Sequence, residues 1–177
     1  FAFIKSVIGT DEFAEAIHRI VTAPVTKWTE TTEEKDIRNA RRFSNTNIKE
    51  ILKGSKRTKL PESHYLRSYG IGTLPERITT IRKTDSVDTP ENRFIKHALE
   101  NFLKFCTDIN NKAKEFRHKK MENESELLIR ELEGQLHHTL FKDISRPTTL
   151  KLNSPVLQRK EGYREVLRVW LMFDLAA

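Results

Sequence analysis

Eight basic side chains of this chain are candidates for binding a negatively charged partner. They are Arg38, Arg41, Arg42, Lys49, Lys53, Lys56, Arg57 and Lys59. On a helix, the three arginines at i, i+3 and i+4 would share one face, and so would the first two lysines at i and i+4. Side chains of this kind bind the phosphates of nucleic acids. We therefore predict that these eight residues form a DNA-binding surface.

The distribution of charge along the chain supports this prediction. From Lys35 to Lys83 the sequence has thirteen Lys and Arg against four Asp and Glu, a net charge of +9. The whole chain carries +7, so the remainder carries −2. Positive charge concentrated in one segment indicates a polyanionic partner, most often nucleic acid. The alternative is a solvated basic surface that has no partner.

The pattern indicates contact with phosphates rather than with bases. Phe43 is the one aromatic residue interleaved with the basic side chains, so base stacking is not the obvious mode of binding. Within this basic segment, Asn39 is the single Asn or Gln beside an arginine, so the arrangement of a major-groove recognition helix is not evident there. We expect weak to moderate affinity, little sequence preference and a strong dependence on salt.

Residues that could catalyse a reaction lack the neighbours that catalysis needs. Cys106 lies on an apolar helix face, where a buried structural thiol is expected rather than a nucleophile. His137 and His138 are adjacent, so on a helix they point in different directions and cannot hold one metal ion. Glu33-Glu34-Lys35 has the Glu-x-Lys spacing of a metal-dependent nuclease, but no apolar strand carries it. We predict no catalytic residue, no metal-binding residue and no cofactor in this chain.

Short helices and strands must position the basic side chains within residues 1–87. The patterns predict a helix from the capping Thr10 to Pro24, a strand over 25–32, helices over 33–43 and 47–53, an irregular stretch over 55–75 and a β-prone segment over 77–83. This part of the chain is the candidate DNA-binding region.

Residues 88–177 have the pattern of a helical region. Thr89-Pro90-Glu91 is a strong helix start, and we expect Glu91 to interact with the helix dipole. Two antiparallel helices follow, with a turn over 117–125 and an end at Arg146-Pro147. The predicted fold is mainly α with minor β, a basic mixed part followed by a long helical hairpin and a further amphipathic helix over Tyr163–Leu171. One core is predicted to contain Phe94, Phe102, Phe105, Leu132, Leu136 and Trp170.

Three strings of residues resemble those of a known family. The first is DTPENRF at 88–94, continued by IKHAL, and the second is SPVLQ at 154–158, followed by GYREVL at 162–167. The third pairs Ala23-Pro24 with Ala40-Arg41-Arg42. In this order they resemble the McrC-like family of bacterial restriction and phage-defence proteins, in particular a branch found beside AAA-type NTPase subunits.

The resemblance implies that this region precedes a PD-(D/E)XK nuclease core, which we expect after Ala177. The parent protein would then be a metal-dependent DNA endonuclease subunit with Mg²⁺ in that core, whose catalytic residues have no counterpart here. The segments 88–94 and 163–171 are implied to border the nuclease core and to lead into it. We expect this chain to bind and position DNA. The alternatives are an adaptor that docks on an AAA-type NTPase partner and stimulates it, and an architectural spacer.

Composition indicates where the protein works. Cys106 is the single cysteine, so no internal disulfide can form, and a reducing, cytoplasmic location is predicted. No apolar run approaches the roughly 20 residues that span a membrane, so we predict no membrane partner. The chain begins with Phe1 and ends in an apolar stretch, which leads us to expect that it is part of a longer protein.

Overall fold

The computed structural model describes residues 1–39, 43–53 and 56–176. In chain order, its main elements are α1 (Ala2–Ile8), α2 (Asp11–Thr22), β1 (Lys27–Asp36), α3 (Asn45–Lys53), β2 (Arg57–Lys59), β3 (Thr73–Pro75), β4 (Arg77–Ser86), α4 (Pro90–Glu115), α5 (Lys119–Leu136), α6 (Thr139–Lys142), α7 (Pro155–Arg159) and α8 (Tyr163–Ala176). Short 3-10 helices cover Ile37–Asn39 and Tyr65–Tyr69. The predicted fold class, mainly α with minor β, is confirmed.

The chain divides into two compact units. Residues 1–27 and 86–177 form what we call the helical unit, and residues 28–85 form the basic unit. The sequence patterns predicted instead that residues 1–27 belong to the basic part, over 1–87. They belong to the helical unit because the apolar face of α2, with Phe13, Ile17 and Ile20, is buried in the same core as α4.

The core of the helical unit is built around an aromatic cluster. The ring of Phe102 lies 6.1 Å from that of Phe13 and 6.0 Å from that of Trp170, measured between centroids. The predicted core set is confirmed: Phe94, Phe102, Leu132 and Trp170 are buried together, and Phe105 and Leu136 pack against them half-buried. This core brings α2, α4, α5 and α8 together.

The helical hairpin forms as predicted, with a tighter turn. Thr89 caps α4 by accepting a hydrogen bond from the amide of Asn92 at 3.2 Å. The prediction placed the turn over 117–125, but α5 already begins at Lys119. Arg117 reverses the chain with a φ of +53°, and the side chain of His118 then caps α5. The polar residues that suggested a loop lie in the first turns of α5.

The second helix of the hairpin ends earlier than Arg146-Pro147. It stops at Leu136, and a separate short helix, α6, follows. His138 has a non-helical backbone, with φ −59° and ψ 141°, and its Nδ1 accepts a hydrogen bond from the amide of Leu140 at 3.2 Å. A side chain that caps a new helix in this way ends the old one.

The basic unit contains two small sheets. Strands β1 and β4 pair in one, and β2 pairs antiparallel with β3 in the other, with Arg57 opposite Pro75 and Lys59 opposite Thr73. The helix predicted over 33–43 is wrong for residues 33–36, which continue β1. The carbonyl of Glu33 accepts a hydrogen bond from Thr80 Oγ1 of β4 at 3.1 Å, and this cross-strand contact favours the extended chain.

Candidate nucleic-acid interface

The predicted basic residues lie on several elements of the basic unit. Arg38 is in the 3-10 helix after β1, Lys49 and Lys53 are in α3, and Lys56, Arg57 and Lys59 lie before or within β2. All six are exposed. Arg41 and Arg42 lie outside the described residues, as does most of the third string that suggested a family.

Polar contacts between α3 and β4 fix the helix that carries Lys49 and Lys53. Asn47 is 2% exposed, and its side-chain amide donates to the carbonyl of Thr79 in β4. Glu50 Oε2 accepts from the amide of Thr79 at 2.9 Å, and the hydrogen bonds from Thr79 hold the pKa of Glu50 below its ordinary value. Because α3 is fixed to β4 by these contacts, Lys49 and Lys53 stay on exposed positions one turn apart.

Two arginines of the basic unit are held by neutral acceptors. The guanidinium of Arg57 donates to the hydroxyl and to the carbonyl of Thr73, each at 2.7 Å. That of Arg67 donates to the carbonyl of Leu60 at 2.9 and 3.2 Å. Neutral partners orient a guanidinium without cancelling its charge. Both side chains therefore remain able to attract an anion.

Acidic residues of β1 neutralise a different set of cations. Lys35 and Arg82 both pair with Glu33 at 3.4 Å, and Lys83 pairs with Glu30 at 3.2 Å. Within the part of the chain that the structure describes, ion pairs with a carboxylate are absent for the other basic residues of the unit: Arg38, Lys49, Lys53, Lys56, Arg57, Lys59, Arg67 and Arg77. The unit as a whole has thirteen Lys and Arg against eight Asp and Glu, a net charge of +5.

A cavity of about 930 Å³ lies within the basic unit. Arg38 and Lys59 line it, so the fold brings these two predicted residues to one site. Phe43 and Tyr65 also line it and are 55% and 70% exposed. Tyr65 was missed from the sequence because the stretch over 55–75 was interpreted as irregular.

The two longer strings of the predicted family resemblance contact each other in the helical unit. Glu91 Oε1 accepts a hydrogen bond from Ser154 Oγ at 2.6 Å, so its role extends beyond the helix dipole. The side-chain amide of Asn92 donates to the carbonyls of Val25 and Val87 at 2.9 and 2.7 Å, and its oxygen accepts from the hydroxyl of Tyr163. Hydrogen bonds of the 88–94 segment therefore hold the 154–158 and 162–167 segments against the start of α4.

The family comparison covers both units of the chain. A profile described as a domain of unknown function, DUF2357, matches residues 1–170. The chain belongs to the DUF2357 family. Searches of curated proteins and of solved structures found no match for this DUF2357 domain.

Two candidate catalytic residues of this DUF2357 domain, Glu33 and Cys106, lie in an exposed strand and on a buried helix face. Glu33 of the Glu-x-Lys string lies in β1, where hydrogen bonds from Lys35 and then Arg82 lower its pKa. Cys106 is fully buried, and burial raises the pKa of its thiol to about 11. Over residues 1–39, 43–53 and 56–176, no group of three His, Cys, Asp or Glu side chains is placed to hold a metal ion.

Among the described helices of the DUF2357 domain, none is both long enough and apolar enough to cross a membrane.

Proposed function

We propose that this DUF2357 domain binds DNA through the phosphate backbone. The observation that supports the proposal is the set of eight exposed cations in the basic unit that have no carboxylate partner within the described residues. Cations of this kind displace the counterions that surround nucleic acids, and this release provides sequence-independent affinity. The domain would hold a duplex in place without reading its sequence.

The biological setting of this proposal comes from the resemblance of the two longer strings to McrC-like proteins. In such a setting the DNA-binding domain positions its substrate for a Mg²⁺-dependent nuclease core located elsewhere in a cytoplasmic restriction subunit. Within the helical unit, hydrogen bonds of Glu91, Asn92 and Tyr163 hold separate segments of the chain together.

Fluorescence anisotropy with a labelled DNA duplex at several salt concentrations tests the proposal. Lys49→Glu with Lys53→Glu should weaken binding to duplexes of every sequence. It should also flatten the slope of log affinity against log salt by about 1–2, since each phosphate contact contributes roughly 0.9. The control is Lys104→Glu with Lys112→Glu, which changes the net charge equally on exposed positions of α4.

Two results would contradict phosphate binding by the basic unit. One is the absence of duplex binding at low salt. The other is an equal loss of affinity in both double variants, because a general charge effect would then explain the binding.

A second candidate function is an adaptor that docks on an AAA-type NTPase. It is favoured by two exposed apolar side chains of the hairpin, Phe116 at 77% and Leu127 at 65%. Burial of apolar surface depends on salt much less than phosphate contact does. Retention of an NTPase encoded beside this chain at high salt, lost in Phe116→Ser with Leu127→Ser, would support the adaptor instead.

A further inference from the structure

We propose that the cavity of the basic unit receives an unpaired base of a single-stranded nucleic acid, an inference that rests on the proposed function. We call the site the Tyr65 groove and define it by Phe43, Ile48 and Tyr65 together with Arg38, Lys59 and Arg77, all of which line it. Its volume of about 930 Å³ lies within the range of about 300–1,000 Å³ that is usual for small-molecule sites.

The apolar part of the groove offers flat, accessible surfaces. Tyr65 is 70% exposed, and Phe43 and Ile48 are 55% and 54% exposed, although large apolar side chains are usually buried. Three such side chains around one cavity form an exposed apolar patch. Single exposed apolar residues are normal on protein surfaces, but a patch of this kind indicates a binding site. An aromatic ring exposed beside positive charge is the usual platform on which an unpaired base stacks.

The ring of Tyr65 is held in position by its neighbour His64, which lines the same cavity. The ring of His64 stacks on it with centroids 5.2 Å apart and an interplanar angle of 24°. His64 is itself fixed, because its Nδ1 accepts a hydrogen bond from the amide of Leu66 at 3.2 Å. A ring with one supported face is already oriented for a ligand, which lowers the entropic cost of stacking.

The charges that line the groove favour an anionic occupant. Arg38, Lys59 and Arg77 line the groove, and none has a described carboxylate within ion-pair distance. The acidic residues that line it are Asp36 and Glu76, and Asp36 Oδ1 is already engaged by the amide of Arg38 at 2.9 Å. The net charge of these five side chains is +1.

Two further cations of the basic unit, Arg57 and Arg67, lie on chain segments that also supply groove residues. Their charges are not cancelled by their neutral partners Thr73 and Leu60. Phosphates on either side of a stacked base would meet these cations. A duplex keeps its bases paired and stacked, so the face of a base is available only from a single strand.

Two labelled oligonucleotides of equal length separate stacking from phosphate contact. The first is an oligothymidylate, and the second is an abasic chain that has the same phosphates and no bases. We expect the oligothymidylate to bind the whole chain more tightly than the abasic chain does. Tyr65→Ala and Phe43→Ala should each weaken oligothymidylate binding by about 5- to 100-fold, the usual contribution of one stacked base.

A matched control lies in the same 3-10 helix. Tyr69 is 76% exposed and is not among the groove residues, so Tyr69→Ala should bind as the parent does. Tyr65→Phe keeps the ring and should retain affinity for oligothymidylate. None of these substitutions should change affinity for the abasic chain or the salt dependence of duplex binding.

The outcomes distinguish this inference from the proposed function. Equal affinity for the two oligonucleotides, or equal losses in Tyr65→Ala and Tyr69→Ala, would overturn base stacking in the groove while leaving phosphate binding intact. Failure of the chain to bind duplex, oligothymidylate and abasic chain alike at low salt would overturn both.

Discussion

The hydroxyl of Tyr163 joins two segments of the helical unit that are far apart in sequence. It accepts a hydrogen bond from the amide of Val25 at 3.0 Å and donates one to Oδ1 of Asn92. Tyr163 is completely buried, and so is Asn92. One hydroxyl group thus connects the chain that leaves α2 with the first turns of α4 and α8.

Tyr163→Phe should destabilise the helical unit by about 1–3 kcal/mol near neutral pH. The substitution leaves the amide of Val25 and the side-chain oxygen of Asn92 without this partner in the interior. Urea denaturation followed by circular dichroism measures the free energy of unfolding. Tyr69→Phe is the control, because Tyr69 is exposed and should tolerate the loss of its hydroxyl. Equal stability of parent and Tyr163→Phe would contradict the role of this hydroxyl.

The difference in unfolding free energy between the parent and Tyr163→Phe depends on pH. Burial raises the pKa of Tyr163 from its ordinary value of 10 to about 12. Above pH 10 the phenol ionises in the unfolded chain before it does so in the folded one, which favours unfolding. The stability advantage of the parent over Tyr163→Phe should therefore be complete below pH 10 and decline between pH 10 and 12.

Asp88→Asn should also destabilise the fold, with the opposite dependence on pH. The carboxylate accepts hydrogen bonds from Arg93 at 2.7 and 2.6 Å and from the hydroxyl of Ser145 at 3.0 Å. Its side chain is 27% exposed, so we expect a loss of about 1–2 kcal/mol at neutral pH. Asp108→Asn, on an exposed position of α4, is the control.

Arg93 first, and then Ser145, hold the pKa of Asp88 well below its ordinary value of 3.8. The contribution of Asp88 to stability is thus present above about pH 4 and is lost as the pH falls further. Parent and Asp88→Asn should converge in urea denaturation at acid pH. A difference that stays constant on acidification would show that the ion pair is not its source.

Gly162→Ala should destabilise the chain by about 1–3 kcal/mol, because the position requires glycine for two reasons. Its φ is +84°, and a Cβ there would lie 2.7 Å from the carbonyl oxygen of Ala16. In contrast, Gly134 in α5 has open space around it, so Gly134→Ala should stabilise by about 0.5–1 kcal/mol. Thermal unfolding of the two variants, measured side by side, would test whether these shifts have opposite signs.

Local signals in the sequence were sufficient for the helical unit. Thr89, Pro90 and Glu91 determine the start of α4 through local contacts. The spacing of apolar residues such as Phe94, Phe102 and Trp170 determines which helix faces are buried. The turn at Arg117 is shorter than the predicted turn over 117–125. A positive φ at a non-glycine residue cannot be recognised from the polar composition on which that prediction depended.

Long-range contacts explain what the sequence did not predict. Residues 33–36 have an unremarkable polar composition, and pairing with β4 decides that they are extended. The six predicted basic residues that the structure describes are all exposed, as is usual for Lys and Arg, and their binding of DNA stays a prediction. The clustering of Phe43 and Tyr65 around one cavity depends on the fold of the basic unit, and no spacing rule connects residues that far apart.

The discontinuous helical unit has a consequence for protein synthesis. Its first segment ends at residue 27, and its second begins only at residue 86. During synthesis on the ribosome, the apolar faces of α1 and α2 stay uncovered until the basic unit and then α4 have been synthesised. At roughly 5–20 residues per second this delay lasts several seconds, during which the basic unit can already fold. The basic unit is therefore complete in the nascent chain before the helical unit can close its core, and the apolar faces of α1 and α2 stay uncovered during this interval.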